Sequence, residues 1–318
     1  MSRVAVLALV AGLISAVALV VAFGAGAIAA AIAGLGWFGF LALCLAHAPI
    51  AALLGLGWRV CFAPGAKACA LGIIWARVLR DAGAEVLPFS EIGGFVIGAR
   101  AAVLAGVPGA EAAASTLIDL TTEAAAQLAF LALGLLALWD LRPGAAILRP
   151  ALIGLIAIIV LIGLLALFLR ANPWLARAGM RRWLASYGEV DKALLAMGEI
   201  VARPRALAAS FALHWLAWLG VALEAWLALR LMGAPISFEG ALAIESLLFA
   251  SRSLAFFAPN ALGVQEGAYA LLAPLVGLTP ADGLALSLIK RARDLAIGAP
   301  ALLIWQRMEA VRALGGTE

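Results

Sequence analysis

Apolar and polar positions divide this chain into two kinds of segment. Continuous candidate spans, apolar along most of their length, cover 4–23, 37–58, 110–139, 151–168, 206–229 and 281–305, and about 18–20 apolar residues suffice for a helix to cross a bilayer. Two other stretches, 68–105 and 241–276, have a charged first arm, then a proline (Pro88, Pro259), then a glycine-rich second arm. A second arm of roughly fifteen residues reaches only ~22 Å, short of the ~30 Å hydrocarbon core. The pattern predicts an all-α, polytopic membrane protein with six full spans and two re-entrant helical hairpins. Strand-type alternation is absent from the sequence, so a barrel is not expected.

The two interrupted stretches superpose without a gap at an offset of 171 residues, from Arg59/Arg230 to Glu123/Asp294. Sixteen of the 65 aligned pairs are identical. Ten of these are Ala or Leu; the other six are Arg59, Pro64, Ile73, Pro88, Gly106 and Ile118 with their partners, and they fall where helices would start, stop or bend. Paired, Gly/Pro-interrupted segments in two halves of a chain point to a transporter's site. Residues 1–318 thus read as one transmembrane domain with repeats at about 35–140 and 206–311. Hinges are expected at Pro88, Gly93, Gly94, Gly98, Pro259, Gly263 and Gly267. The spacings Gly94–Gly98 and Gly263–Gly267 would allow close backbone approach.

Composition fits this solvent: 66% of residues are hydrophobic and 13% charged, against about 25% charged in soluble domains, and the mean hydropathy is +1.10. Run 4–23 exceeds the 7–15 residues of a signal-peptide core, so an uncleaved first span is expected. Cys44, Cys61 and Cys69 lack C-x-x-C spacing, and His47 and His214 stand alone on apolar runs; neither a disulfide framework nor a metal site is expected. The net charge of +4 arises between Arg170 and Arg205, which hold seven cations. That stretch reads as a cytoplasmic loop under the positive-inside rule, with 171–204 an interfacial amphipathic linker. No nucleic-acid partner is expected, since no basic soluble module is present. Arg3 places the N-terminus on the same side, so the crossing count before Arg170 must be even. This is satisfied only if 68–105 makes no net crossing. The two repeats then point in opposite directions, and both termini are cytoplasmic.

Charges at membrane depth cost roughly 2.5–3.5 kcal/mol on insertion scales and mark function by default. Asp119 and Lys290 each lie nine residues into matching spans, about 13 Å deep at 1.5 Å per residue. With them come Glu91, Arg100, Glu123, Arg252, Gln265, Glu266, Arg291 and Asp294 as candidate substrate-binding residues. Asp119 is expected to approach Lys290, and Lys290 to pair with Asp294 one turn on. Arg77, Arg80, Asp81 and Glu85 are read as interfacial. No nucleophile–base set and no phosphate-cradling GxxxxGK[ST] loop occur, so neither enzymatic chemistry nor ATP hydrolysis is expected. Asp119 and Glu123 have the ligand type for Mg²⁺, but the adjacent cations argue against it. No cofactor is expected.

The stretches GVQEGAYALLAPLVGLTPADGLALSLIKRARDL, FSEIGGFVIGARAAVLAGV and STLIDLTTE resemble the lysylphosphatidylglycerol synthase transmembrane (flippase-domain-like) family, and within it the hopanoid-biosynthesis-associated membrane branch. The resemblance covers nearly the whole chain. It implies a multi-pass protein of the bacterial inner membrane, with hallmark positions at Gly93, Gly94, Gly263, Gln265, Glu266 and Arg291. Larger relatives flip aminoacylated phosphatidylglycerol and carry a soluble aminoacyl-transferase domain. This sequence ends at Glu318, so tRNA-linked chemistry is not expected of it. The expected function is translocation of hopanoid or other polar-headed lipids through a groove between the hairpins. The alternative is a non-transporting scaffold for hopanoid or glycolipid biosynthesis enzymes. Membrane lipids are the expected partners; lipid-biosynthesis enzymes and self-association stay open.

Overall fold

The computed structural model describes residues 25–63, 68–86, 90–171, 190–254 and 259–315. These form ten α-helices and two short 3₁₀ turns, with no strand among the described residues. The helices are α1 (Ala25–Arg59), α2 (Ala70–Val86), α3 (Ser90–Leu104), α4 (Gly109–Leu141), α5 (Leu148–Ala171), α6 (Val190–Val201), α7 (Pro204–Leu231), α8 (Phe238–Leu254), α9 (Val264–Leu272) and α10 (Pro280–Gly315). The expected span at 4–23 and the hinge Pro88 lie outside the described residues. So does most of the expected linker, of which α6 is described.

Three helical segments are long and apolar enough to cross a membrane by length and composition: Ile32–Arg59 of α1, then α4 and α7. Apolar side chains cover much of the outer surface. Trp37 and Phe38 on α1 and Ile158–Ile162 on α5 are exposed, a surface that suits lipid rather than water. α10 carries too many charges to satisfy the same criterion although it has 36 residues.

α2 and α3 fold into an antiparallel hairpin sealed by glycines. A Cβ on Gly98 would lie 2.7 Å from the Arg80 Cβ, and one on Gly94 would lie 2.9 Å from the Ala84 nitrogen. Any side chain at either position would push the helices apart. α8 and α9 form a second antiparallel pair, in which Gln265 meets Arg252 and Tyr269 meets Glu245. The chain leaves both hairpins in the same way. Gly106 (φ 99°) and Gly277 (φ 87°) take left-handed backbone. Val107 N–H then bonds the Ala102 carbonyl and Leu278 N–H the Ala273 carbonyl, each at 3.1 Å, the Schellman arrangement that closes a helix.

Packing repeats along with these helix ends. α1 crosses α7 antiparallel: Gly34 faces Met232, Ile50 faces Gly220, and Gly57 faces His214. α2 packs on α10 and, correspondingly, α8 on α4. One core joins Trp58, Ile73, Ala76, Ala102 and Val107; another holds Leu229, Ile244, Leu247, Ala273 and Leu278, which are the residues 171 positions later. α6 packs on α4, where Ile200 joins a small cluster with Ala114 and Ile118.

Candidate functional site

Four helices bring most of the buried charge to the centre of the fold. On α2, Arg77, Arg80, Asp81 and Glu85 recur at helical spacing on one face. The close approach of α3 turns that face inward. Arg77 grips Glu123 of α4 with both terminal guanidinium nitrogens (2.8 and 2.9 Å) and reaches Asp81 through Nε (2.9 Å). Arg80 donates to Asp119 at 2.6 Å and to Glu123 at 3.1 Å, and lies over the Phe95 ring. His214 Nε2 stands 2.8 Å from the other Asp119 oxygen. Asp119 is wholly buried, and its two carboxylate oxygens are both engaged.

The second half has the opposite charge order. Here α8 supplies the acid, Glu245, and α10 the base: Lys290 Nζ donates to Glu245 at 2.6 Å, and the Tyr269 hydroxyl donates to the same carboxylate at 2.5 Å. Arg293 bonds Glu224 of α7 and, at 2.6 Å, Asp294; Glu224 in turn accepts from His47 Nδ1 of α1 at 3.1 Å in the imidazole tautomer that carries its proton there. Arg252 donates to Gln265 at 2.7 Å and, across the gap between the hairpins, to Glu85 at 2.5 Å. Asn260 Nδ2 donates to the Glu85 carbonyl, so residues flanking the two hairpin ends touch.

These groups surround a cavity of about 480 Å³ where α1 crosses α7. Ile50 and Val221 line it at the crossing. Its described lining includes five carboxylates (Asp81, Glu85, Glu123, Glu245, Asp294) and five side-chain cations (Arg77, Arg80, Arg252, Lys290, Arg293). Its volume falls within the roughly 300–1,000 Å³ of small-molecule sites.

Of the candidate residues, Glu123, Arg252, Gln265, Lys290 and Asp294 line this cavity. Asp119 lies behind it, bound to Arg80. Glu266 and Arg291 serve elsewhere: Glu266 is buried, accepts the Gly263 N–H at 2.8 Å and pairs with Arg291. Arg291 also donates to the carbonyls of Asn260 and Ala261. Both of these residues have positive φ (52° and 45°), a conformation that costs non-glycine residues stability. The Glu266–Arg291 pair clamps that turn. Arg100 is exposed and pairs with Glu309 at 2.9 Å, away from the cavity. The Glu91 side chain lies outside the described residues.

Three expectations are corrected. Arg77, Arg80, Asp81 and Glu85 are central rather than interfacial, because the glycine seam of α2 and α3 presents their face to α4. Asp119 and Lys290 do not pair with one another. α1 packs on its counterpart α7, and α4 and α10 each pack on the other half's hairpin; Asp119 instead finds Arg80, and Lys290 finds Glu245, within the hairpin of its own half. Lys290 likewise leaves Asp294 to Arg293. Glu224 was not singled out in the sequence. One acid amid the apolar run 206–229 was its only signal.

Asp119, Glu123 and His214 also bring three metal-type ligand atoms within 4.8 Å of one another. Both carboxylates already accept guanidinium hydrogens from Arg77 and Arg80, so this donor set is arranged for arginine rather than for a cation of its own.

The model of the lysylphosphatidylglycerol synthase TM region matches residues 7–301. The chain belongs to this family. Its lysylphosphatidylglycerol synthase TM region takes in all ten described helices, α10 up to residue 301, and hence the whole cavity. No curated protein and no solved structure gives a significant match to the chain. Family membership makes it a membrane protein concerned with lipid handling.

Proposed function

We propose that this protein moves polar-headed lipids between leaflets, the head group passing through the charge-lined cavity while the tail stays in the bilayer. The observation that carries this reading is the cavity itself, with five carboxylates and five cations at the crossing of α1 and α7, between two helical hairpins. Buried charge of this kind is costly in a membrane protein and is retained where a polar substrate passes. Non-helical backbone at depth is tolerated where protein or a polar cavity surrounds it. The hairpins are read accordingly as re-entrant, α1–α4 and α7–α10 as an inverted repeat, and the whole as six spans with both termini in the cytoplasm of a bacterial inner membrane. The antiparallel crossing of α1 and α7 supports that inversion. Hopanoid lipids are the favoured cargo on the sequence resemblance. The balance of charge suits a zwitterionic or polyhydroxylated head group, and no covalent chemistry is needed.

Reconstitution into liposomes with leaflet-specific fluorescent lipids tests this. Wild-type protein should accelerate exchange. Lys290→Gln, which removes a lining cation, should slow it, and Arg100→Gln, which lies off the cavity, should not. Wild-type vesicles that exchange lipid no faster than empty ones would leave the scaffold reading in its place.

A further inference from the structure

Every cation lining the cavity already has an acidic partner, so an anionic head group can bind only by displacing one. Four of the five are held deep. The side chains of Arg77 and Arg80 are 5% exposed, Arg293 7% and Lys290 12%. The fifth pair differs: Arg252 is 28% exposed and its partner Glu85 25%. Ion pairs that reach water are weaker than sequestered ones. Glu85 is also badly placed for a carboxylate. It is the penultimate residue of α2, where the helix macrodipole is negative and disfavours an anion. Arg252 has an independent support, because Gln265 Oε1 holds its Nη1 at 2.7 Å and Gln265 is itself anchored to Ser287 at 3.0 Å. The guanidinium would therefore keep its aim if Glu85 left.

We propose that Arg252 is the anion-binding residue of the cavity and that Glu85 is its resting occupant, displaced by the phosphate or carboxylate of an incoming head group. The inference deepens the translocation reading and rests on it for the nature of the cargo. It also couples binding to movement. Glu85–Arg252 is one of two described polar contacts between the hairpins, the other being Asn260 to the Glu85 carbonyl. Binding of an anion removes the first and leaves the second as the one described hydrogen bond between the hairpins.

The test is calorimetric binding of three probes to the purified full chain: dihexanoyl phosphatidylglycerol, free glycerol phosphate, and neutral dihexanoylglycerol. Glu85→Gln should bind phosphatidylglycerol about tenfold tighter, the gain expected if Glu85 leaves Arg252 about a tenth of the time in the wild type. Arg252→Gln should weaken the same binding by a similar factor, and neither variant should alter the neutral probe. An equal response from glycerol phosphate assigns the site to the phosphate group alone, and a response confined to the lipid assigns it to a lipid head group; both support the proposal. It is overturned if Glu85→Gln leaves phosphatidylglycerol binding unchanged, or shifts the neutral probe equally. Should Glu85→Gln fail to fold, Glu85→Asp withdraws the carboxylate by one methylene and should also tighten binding. Leaflet exchange measured on the same preparations separates the two readings: intact binding differences without wild-type exchange would remove translocation and leave the anion site standing.

Discussion

Where α3 carries Gly94 and Gly98, α9 carries Gln265 and Tyr269 at the equivalent positions, and the two hairpins differ accordingly. The first closes backbone on backbone, and the charges it brings to the cavity come from α2. The second holds its helices apart with side chains whose polar ends reach Arg252 and Glu245. Charge sign follows suit. Asp81 and Asp119 in the first half correspond to Arg252 and Lys290 in the second. Shared helix ends therefore support opposite chemistry, and the opposite signs are what bring the cavity close to neutrality. A duplicated backbone constrains where side chains stand and leaves their charge free to diverge.

The strongest way to break this comparison is to empty one network at a time. Asp119→Ala strips buried His214 of its carboxylate and leaves Arg80 with Glu123 alone, a loss of about 3–5 kcal/mol for a broken buried pair. Glu245→Ala exposes a less sequestered lysine and should cost about 1–3 kcal/mol. Denaturant unfolding in detergent compares them, and equal losses would contradict the asymmetry. Asp119→Lys with Lys290→Asp should recover nothing, whereas Glu245→Lys with Lys290→Glu should regain part of its loss.

Hairpin closure gives the next effect. Gly98→Ala forces a methyl against Arg80 and should destabilise by about 1–3 kcal/mol, the range for overpacking. Tyr269→Phe at the matching position removes only a hydroxyl and should cost about 0.5–1.5 kcal/mol. A neutral Gly98→Ala would mean that the glycine seam is not what holds α3 on α2. The backbone caps should behave alike. Gly106→Ala and Gly277→Ala each place a Cβ in left-handed conformation and should cost a similar ~1–2 kcal/mol; a large difference in melting temperature between them would show that the two turns are not equivalent. The smallest effect belongs to Arg100→Gln. It breaks an exposed pair with Glu309 and should leave the unfolding midpoint within error of wild type.

The boundaries of α4, α5 and α7 were legible in advance to within a few residues because they depend on local physics. Apolar run lengths marked α4, α5 and α7, and the 171-residue offset related each hairpin to its counterpart through residues such as Gly106 and Gly277. Candidate charges were legible as a set, since any charge within an apolar run is expensive. Their partners were not. Glu266 and Arg291 looked like site residues in the GVQEG and KRARDL stretches, yet they secure a turn at Asn260 and Ala261. Arg77 and Arg80 looked peripheral because their neighbours in sequence are charged and near a predicted surface.

The amino-acid sequence by itself determined that this is a helical membrane protein with paired interrupted segments and with charges set within its apolar runs. Hydropathy, glycine and proline act within a few residues of chain, so they can be read in order. Only the tertiary structure decided that Asp119 belongs to Arg80, Lys290 to Glu245 and Glu85 to Arg252. Those pairings join residues 39, 45 and 167 positions apart, and Coulomb attraction at 2.5–2.6 Å depends on which helix faces come together rather than on spacing along the chain.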